Sequence, residues 1–341
     1  MKAILVGLGS AGFSWYKRLR DQGMLLAVVE ADPAMKEKME DDPFPFYTSL
    51  EDALDREKAD FLVNVTSPAA HTPVNLAAFD KGLPVLCEKP ISFRYEESLA
   101  VVARAEKDGI PFMIAENYRH FPSVRKLKEM LGQGTIGDVS SVDVKFARYH
   151  RVQRKYPVSV LDDIGVHHMD MLRYFTGREG KAVQARLFAP IGAWQEEGAV
   201  IAANAIIEMA GGIAANYSAT IASRGPMTPW YGDWRIEGER GALLLENGII
   251  TIYRDGETEQ IREFPSIPTS DPLTEFLASL RDGRESETSA TDYLKTQALV
   301  YYTNVAAGTG QRTRIEPDRG QGKDLQGFIS ATDQGQPRNN R

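Results

Sequence analysis

Short apolar runs alternate with amphipathic stretches along the first third of the chain. Ile4–Val6 and Leu25–Val29 are apolar throughout, whereas Ala11–Asp21 and Tyr95–Lys107 repeat apolar residues at helical spacing. The same patterns predict strands at Phe61–Val65, Val85–Cys87 and Pro111–Ala115, and helices at Pro33–Met39, from Ser49 onward and at Pro73–Lys81. Apolar strands separated by helices are typical of a parallel sheet that is covered on both faces.

The pattern changes after about Phe121, where longer strands are separated by turns that contain glycine. Strands are predicted at Val139–Tyr149, Gln184–Ile191, Ala199–Met209, Gly212–Ile221, Trp234–Glu237, Ala242–Glu246 and Ile249–Tyr253, and helices at Val124–Leu131, Leu161–Phe175, Pro272–Asp282 and Asp292–Gly308. Meandering strands favour a mostly antiparallel sheet. We therefore predict domains at 1–121 and 122–316. Residues 317–341 are polar and form either a loose tail or an extension that contacts a partner.

Composition narrows the class of protein. A chain of 341 residues with 43% hydrophobic residues is long enough for two packed domains. Its net charge of −7 argues against a nucleic-acid partner, which favours a basic surface. Cys87 is the one cysteine, so neither a disulfide framework nor a cysteine zinc cluster is predicted. No signal-peptide pattern or membrane-length apolar run is present, and we expect a cytoplasmic enzyme without a membrane partner.

A glycine-rich segment follows the first predicted strand and opens the first helix. Residues 7–12 read Gly-Leu-Gly-Ser-Ala-Gly, which fits the G-x-G-x-x-G pattern in the context that the pattern requires. Gly7 permits a tight turn, Gly9 lets the backbone approach a pyrophosphate, and Gly12 permits close packing of helix and strand. The helix N-terminus then offers N–H groups to the phosphates. The alternative is a glycine turn that binds no ligand.

Glu30 directly follows the second predicted strand. An acidic side chain at this position accepts hydrogen bonds from the adenosine ribose hydroxyls and repels a 2′-phosphate. No arginine follows Glu30 closely, so we predict NAD rather than NADP as the cofactor.

Polar residues also follow the third, fourth and fifth strands of the predicted parallel sheet. These segments are Asn64-Val65-Thr66-Ser67-Pro68 with His71, Cys87-Glu88-Lys89-Pro90, and Asn117-Tyr118-Arg119-His120. Cofactor contacts gather at the carboxyl ends of strands in open parallel sheets. The alternatives are a structural cap for His71, a solvated surface charge for Lys89 and a small buried residue for Cys87.

The segment Leu161–Asp170 brings carboxylates and imidazoles together. On an α-helix, Asp163, His167 and Asp170 would share one face, and His168 would point away from Asp163. A carboxylate beside an imidazole is a suitable arrangement for a general base. A metal site would need more ligands than this segment supplies, so none is predicted, and a structural helix N-terminus is the alternative.

These motifs, in this order over about residues 1–316, resemble the glucose–fructose oxidoreductase/inositol dehydrogenase/rhizopine-catabolism (Gfo/Idh/MocA) family. The most specific are Glu88-Lys89-Pro90 and Asp163-x-Gly165-x-His167-x-x-Asp170; residues 235–241 also resemble a family segment. The resemblance implies an α/β fold with an N-terminal Rossmann domain, whose parallel sheet is doubly wound. A C-terminal α/β domain with a large, mostly antiparallel open sheet follows. In the family that sheet packs against another subunit, which implies a homodimer or homotetramer.

The resemblance also implies an activity, which is NAD-dependent hydride transfer to or from a secondary alcohol of a sugar, inositol or related polyol. Lys89, Asp163 and His167 match the family's catalytic residues, and the bond before Pro90 is expected to be cis. The motifs and the resemblance together place these residues at the cofactor: Gly7, Leu8, Gly9, Ser10, Ala11, Gly12, Glu30, Thr66, Ser67, Pro68, His71, Glu88, Lys89 and Asn117. They place these at the substrate: Lys89, Asn117, Tyr118, Asp163 and His167.

Several points stay open. The basic stretch 148–156 either binds an acidic or hydroxyl-rich substrate or is a solvated loop, and Trp230 and Tyr231 either wall a sugar site or pack at a subunit interface.

One alternative function is an enzyme of the same fold that uses tightly bound NAD transiently, for glycoside hydrolysis or sugar–sugar hydride exchange. The other is a non-catalytic NAD-binding regulator, which the presence of Lys89, Asp163 and His167 disfavours.

Overall fold

The computed structural model describes residues 1–151, 159–193 and 200–316. It divides into two compact units, the first formed by Met1–Glu116 with Pro272–Leu294 and the second by Asn117–Asp271 with the described residues 295–316. The segment Pro272–Leu294, which we predicted to lie in the second domain, thus packs with the first unit. The predicted domain boundaries stay a prediction, and the tail at 317–341 lies outside the described residues.

The first unit is built on six parallel strands in the order β3-β2-β1-β4-β5-β6. Their bounds are β1 Ala3–Val6, β2 Leu25–Val29, β3 Phe46–Tyr47, β4 Phe61–Asn64, β5 Val85–Glu88 and β6 Phe112–Ala115. This order is that of a doubly wound dinucleotide-binding sheet. Every residue of β1, β4 and β6 is buried, as the apolar runs predicted.

The second unit contains a nine-stranded sheet in the order β14-β13-β12-β11-β7-β10-β9-β8-β15. The strands are β7 Val139–Ala147, β8 Gly180–Phe188, β9 Ala202–Met209, β10 Ala214–Thr220, β11 Asp233–Gly238, β12 Gly241–Glu246, β13 Ile249–Arg254, β14 Glu257–Ile261 and β15 Thr313–Arg314. Among the strands that the structure describes in this sheet, only the β7–β10 pair is parallel. The predicted α/β fold with one parallel and one mostly antiparallel sheet is confirmed.

Eight α-helices accompany the two sheets in the described residues. They are α1 Ser10–Asp21, α2 Leu50–Arg56, α3 Pro68–Asp80, α4 Tyr95–Asp108, α5 Pro122–Gly132, α6 Val166–Thr176, α7 Pro272–Asp282 and α8 Ala290–Thr309. Short 3-10 turns span Pro33–Met39, Tyr118–His120 and Ala210–Gly212, and a π-helix spans Leu161–Gly165. No α-helix of the described ranges is both long enough and apolar enough to cross a bilayer.

Helix α3 begins five residues earlier than predicted. Pro68 occupies its first position, where the fixed φ of proline suits a helix and the missing N–H is no loss. We had placed the start at Pro73, which lies inside the helix instead. The predicted cap at the start of α2 is confirmed, since Ser49 Oγ accepts a hydrogen bond from Asp52 N at 3.2 Å.

The core of the first unit lies between the parallel sheet and the helices packed on it. Leu5, Val63 and Leu86 line the sheet, and Trp15 of α1 and Phe276 of α7 pack in the same cluster. The ring of Phe276 meets that of Phe61 edge-on, with centroids 5.7 Å apart. This contact fixes α7 on the first sheet, although α7 follows the second sheet in sequence.

The turn between β1 and α1 requires two of its three glycines for packing. Gly7 has φ +98°, and a Cβ there would lie 2.7 Å from the carbonyl oxygen of Val65. A Cβ on Gly12 would lie 2.2 Å from the carbonyl oxygen of Gly7. A Cβ on Gly9 would meet nothing within 4 Å, so this glycine leaves open space beside the turn.

The three positions therefore predict different effects on stability. Gly12→Ala should lower the free energy of unfolding by about 1–3 kcal/mol, because its methyl group forces the turn and α1 apart. Gly9→Ala is the matched control, and its φ of −63° suits alanine. Urea unfolding of both variants and the parent measures the difference, and equal losses in the two variants would contradict this account of the turn.

Candidate functional site

The glycine turn opens onto the start of α1. The first turn of this helix carries no acidic residue, and its N-cap, Gly9, provides no side chain to bind the exposed N–H groups. Ser10 and Ala11 are exposed, whereas the side chain of Leu8 is buried. The N–H groups at the start of α1 and the positive end of the helix dipole are thus available to an anion.

Glu30 lies against this turn. Its Oε2 accepts a hydrogen bond from Leu8 N at 2.7 Å, and its Oε1 accepts one from Asp32 N at 3.1 Å. Lys38 approaches the same place, where its Nζ donates to the carbonyl oxygen of Leu8 at 3.1 Å. The sequence does not predict this contact of Lys38, because the pattern of residues Pro33–Met39 does not show which side chain of the 3-10 turn reaches the glycine turn.

Asn64 and His71 join the segments that follow β4 and β5. Asn64 Oδ1 accepts from Thr66 Oγ1 at 2.7 Å, and its Nδ2 donates to Asn75 Oδ1 at 2.8 Å. His71 Nδ1 lies 2.7 Å from the carbonyl oxygen of Pro90, and its Nε2 lies 3.1 Å from that of Thr66. Burial lowers the pKa of His71. Its side chain is wholly buried and holds the two segments together, as the alternative of a structural role expects, and the predicted cofactor contact of His71 stays a prediction.

The end of β5 presents Lys89. The Lys89–Pro90 bond is cis, as predicted. The preceding Glu88 accepts a hydrogen bond from Trp15 Nε1 at 2.9 Å, which ties this strand end to α1, and burial raises the pKa of its carboxyl group. Cys87 is wholly buried, as expected of a small core residue, and burial raises the pKa of its thiol.

Parallel pairing brings these segments to one edge of the first sheet. Strand β4 pairs with β1 on one side and with β5 on the other. Because the carboxyl ends of parallel strands meet at the same edge, the glycine turn, Thr66-Ser67 and Glu88-Lys89 share that edge. Thr66 is half-buried and Ser67 is exposed, and their predicted cofactor contacts stay predictions.

In the second unit, His167 stacks against Tyr118. Their ring centroids lie 4.0 Å apart with an angle of 19° between the ring planes, and both side chains are nearly buried. Asn117, one residue earlier, is exposed. The stack fixes the plane of the His167 imidazole, and it unites two residues that were predicted to contact the substrate.

Asp163 lies in the π-helix Leu161–Gly165, directly before α6. The segment Leu161–Gly165 is therefore π-helical where an α-helix was predicted, with α6 continuing from Val166. Gly165 accompanies the change: a Cβ there would lie 2.9 Å from the hydroxyl of Tyr217. Because Gly165 has no side chain, the hydroxyl group of Tyr217 on β10 can lie close to the backbone of the π-helix.

Asp170 is wholly buried in an ion pair that the sequence analysis did not predict. Arg119 Nε donates to its Oδ2 at 2.6 Å, and Arg119 Nη2 donates to its Oδ1 at 2.7 Å. Thr296 Oγ1 adds a hydrogen bond to Oδ1 at 3.0 Å. Because Arg119 directly follows Tyr118, this pair anchors the stack on His167 to α6.

His168 differs sharply from its neighbour His167. It is 1% exposed, its Nδ1 lies 3.0 Å from Tyr217 Oη, and its Nε2 lies 2.9 Å from the carbonyl oxygen of Trp230. A neutral ring that donates from Nε2 and accepts at Nδ1 satisfies both contacts. Burial lowers the pKa of His168 to about 3, so this ring stays neutral.

Two aromatic residues after β10 occupy different environments. Trp230 is half-exposed, with the Arg148 guanidinium 4.5 Å from its ring centroid and the His150 ring edge-on at 4.9 Å. Tyr231 is buried against Phe121, with centroids 5.1 Å apart. Of the basic stretch 148–156, residues 152–156 lie outside the described residues.

Two family models match the two parts of the chain. Residues 1–116 match "Oxidoreductase family, NAD-binding Rossmann fold", and residues 124–244 match "GFO/IDH/MocA C-terminal domain". The chain belongs to the GFO/IDH/MocA family of NAD-binding oxidoreductases, which confirms the resemblance seen in the sequence.

Individual relatives agree with this assignment. The chain is 26% identical over 296 residues to D-apiose dehydrogenase of Paraburkholderia graminis, covering 77% of this chain and 75% of the relative. It is 27% identical over 192 residues to inositol 2-dehydrogenase of Corynebacterium glutamicum, covering 53% and 56%. A crystal structure of an oxidoreductase from Agrobacterium radiobacter, in complex with NAD⁺, L-tartaric acid and magnesium, is 20% identical. It has a TM-score of 0.84 over 92% of this chain and 98% of that chain, which supports the fold.

The buried ion pair predicts a large loss of stability when one partner is removed. Asp170→Ala leaves the Arg119 guanidinium buried without its carboxylate and should lower the free energy of unfolding by about 3–5 kcal/mol. Glu208→Ala removes a carboxylate from the exposed pair with Arg312 and should change stability little. Chemical denaturation of both variants tests this, and a similar small effect in each would show that the buried pair is not stabilising.

His168 predicts a loss of stability in acid. Its pKa in the folded state, about 3, lies below the ordinary histidine value near 6.5 of the unfolded chain. The unfolded chain therefore binds the extra proton between these values, and this group lowers stability by up to about 1.4 kcal/mol per pH unit as pH falls. His71, whose pKa is also lowered, acts in the same direction.

Urea unfolding at about pH 7 and about pH 5 measures this dependence. His168→Gln retains a donor for Trp230 but does not titrate, so its stability should change less between the two pH values than that of the parent. An unchanged pH dependence in the variant would contradict the role assigned to His168.

Proposed function

We propose that this protein is an NAD-dependent dehydrogenase that acts on a secondary alcohol of a sugar, inositol or related polyol. The family is one of NAD-binding oxidoreductases, and relatives are named as inositol and D-apiose dehydrogenases. Lys89, Asp163 and His167 form its proton-transfer set. The specific substrate class is carried over from these relatives, and the roles of the three residues follow from their match with the family's motifs.

One observation carries the proposal: each proposed catalytic residue stands next to an ionisable residue whose side chain makes structural contacts. Glu88 beside Lys89 binds Trp15. Asp162 beside Asp163 accepts hydrogen bonds from Ser159 Oγ and Asn304 Nδ2. His168 beside His167 binds Tyr217 and Trp230. The structural neighbours fix the backbone at these three places, which is the support that a preorganised site requires.

The residues of the first unit fit a dinucleotide. Gly9 leaves room beside the turn, α1 presents N–H groups without a competing acid, and Glu30 places a carboxylate at Leu8. We propose that the turn holds the pyrophosphate and that Glu30 accepts hydrogen bonds from the ribose hydroxyls, which favours NAD over NADP. Thr66, Ser67, Pro68 and Asn117 would complete the cofactor contacts. When bound, NAD supplies the carbon that accepts or donates the hydride.

The protein's own part in the reaction is proton transfer and orientation. His167 would take the proton of the substrate hydroxyl as general base, with its ring held by Tyr118. Lys89 would donate a hydrogen bond to the reacting oxygen and stabilise the charge that develops on it. Asp163 would orient the hydroxyl or His167, and Asn117 and Tyr118 would contact the substrate. In the reverse direction the same groups return the proton to the carbonyl oxygen.

We also propose that the protein is a homodimer or homotetramer that associates through the nine-stranded sheet. One face of this sheet carries exposed residues on adjacent strands, including Ile206, which is 56% exposed. An apolar side chain that is exposed on the sheet face of a single chain would be buried if a second subunit packed on that face.

Substitution of the proposed base and lysine tests the function. Lys89→Met and His167→Asn should each lower kcat roughly 10²–10⁴-fold, because each removes a group that acts on the reacting oxygen. Reduced-nicotinamide absorbance measures turnover over a panel of sugars and polyols, and nicotinamide fluorescence measures NADH binding separately. Lys81→Met, which removes a surface lysine paired with Asp55, is the control and should retain turnover. Full activity in both active-site variants would refute the mechanism.

A further inference from the structure

A cationic and aromatic cluster lies where β7 and β10 end. These two strands are parallel neighbours, with Ala147 opposite Thr220 at their carboxyl ends. Arg148 and His150 follow β7, and Arg224 follows β10. Trp230 lies under the Arg148 guanidinium and against the ring of His150, and the Arg224 guanidinium lies 5.7 Å from the ring centroid of Tyr149.

Backbone hydrogen bonds continue beyond the ends of β7 and β10 and fix the two segments that carry this cluster. Arg148 N donates to the carbonyl oxygen of Thr220 at 2.9 Å, and His150 N donates to that of Ile221 at 2.9 Å. Ser223 N donates to the carbonyl oxygen of Arg148 at 3.0 Å. Residues 148–150 of the basic stretch therefore have a backbone fixed by hydrogen bonds, while their side chains are half-exposed or exposed.

The Arg148 side chain is held in place but remains accessible. Its Nη1 donates to the carbonyl oxygen of Thr228, and its guanidinium lies over Trp230, yet the residue is half-exposed. Among the residues that the structure describes, no carboxylate forms an ion pair with Arg148 or Arg224. A fixed guanidinium edge with two parallel N–H donors matches the two oxygens of a carboxylate.

The cluster is also connected to the proposed base. The carbonyl oxygen of Trp230 accepts the hydrogen bond from His168 Nε2 at 2.9 Å, and His168 is the chain neighbour of His167. The ring of Phe146 packs against both His168 and Trp230, with centroid distances of 4.9 and 6.1 Å. The position of Trp230 is thus coupled to the first turn of α6, where His167 lies.

We propose that this cluster is a substrate subsite and that the preferred substrate is an acidic sugar or polyol, which carries a carboxylate. Arg148 binds the carboxylate, and the exposed face of Trp230 packs on the carbon skeleton. The Arg148 guanidinium supplies the positive charge for this group in a protein whose net charge is −7, and the ring of His150 packs perpendicular to that of Trp230. This inference rests on the proposed function, because it names the substrate class for the same reaction.

The experiment compares D-gluconate, D-glucose, myo-inositol and D-glucose 6-phosphate as substrates with NAD, and measures gluconate binding to the NADH complex by calorimetry. The parent should have a higher kcat/KM for gluconate than for glucose. Arg148→Met should lower the ratio of these two values by about tenfold to a hundredfold, since it removes charge-assisted hydrogen bonds. Arg148→Lys should restore part of it, because lysine keeps the charge but not the paired donors.

Arg254→Met is the matched control, since Arg254 is an exposed arginine on β13 and should leave the ratio unchanged. Thermal melting of the variants checks that each is folded. A ratio that does not respond to Arg148, or a preference for the phosphorylated sugar, would overturn the carboxylate subsite. Arg148-dependent binding of gluconate without turnover of any compound would instead support the subsite and contradict the proposed dehydrogenase activity.

Discussion

The buried pair of Arg119 and Asp170 is the interaction on which the proposed base depends. Two ionised groups removed from water need each other and further hydrogen bonds, which Thr296 provides. The geometry of the pair is bidentate, so it fixes direction as well as distance. Since Tyr118 precedes Arg119, the pair sets the position of the ring that stacks on His167. The last aspartate of the family motif therefore has an architectural role.

In both units, polar residues with structural hydrogen bonds lie beside the residues proposed to act in catalysis. In the first, Asn64, His71 and Glu88 bind backbone and side chains of neighbouring segments at the sheet edge. In the second, Asp162 and His168 do so around the π-helix and α6. Asn64, His71 and His168 are wholly buried, whereas Glu88 and Asp162 are half-buried. In all five residues the side chain forms hydrogen bonds within the protein, as polar groups removed from water require.

Much of this organisation could be predicted from the sequence because it depends on local patterns. The glycine turn, the apolar strands and the polar residues at their ends follow from spacing alone, as does Glu30 after β2. Strand β14 was missed because Glu257–Ile261 is an exposed edge strand without an apolar face. The partners of Asp170 and His168 were missed for a different reason. Arg119, Tyr217 and Trp230 are distant in sequence, and only the fold shows that they converge.

Glu30, which we propose to bind the cofactor ribose, also holds the backbone of the glycine turn through hydrogen bonds. Its two carboxylate oxygens accept hydrogen bonds from the N–H groups of Leu8 and Asp32, in addition to any contact with a ribose. Engineering that replaces Glu30 to admit a 2′-phosphate would therefore also release the backbone of the turn that faces the pyrophosphate. A redesign for NADP would do better to retain this acceptor and to alter the cationic side, where Lys38 already reaches the carbonyl oxygen of Leu8. The 3-10 turn after β2 can thus accept substitutions that change cofactor preference, whereas Glu30 at the end of β2 is required for the hydrogen bonds of the backbone.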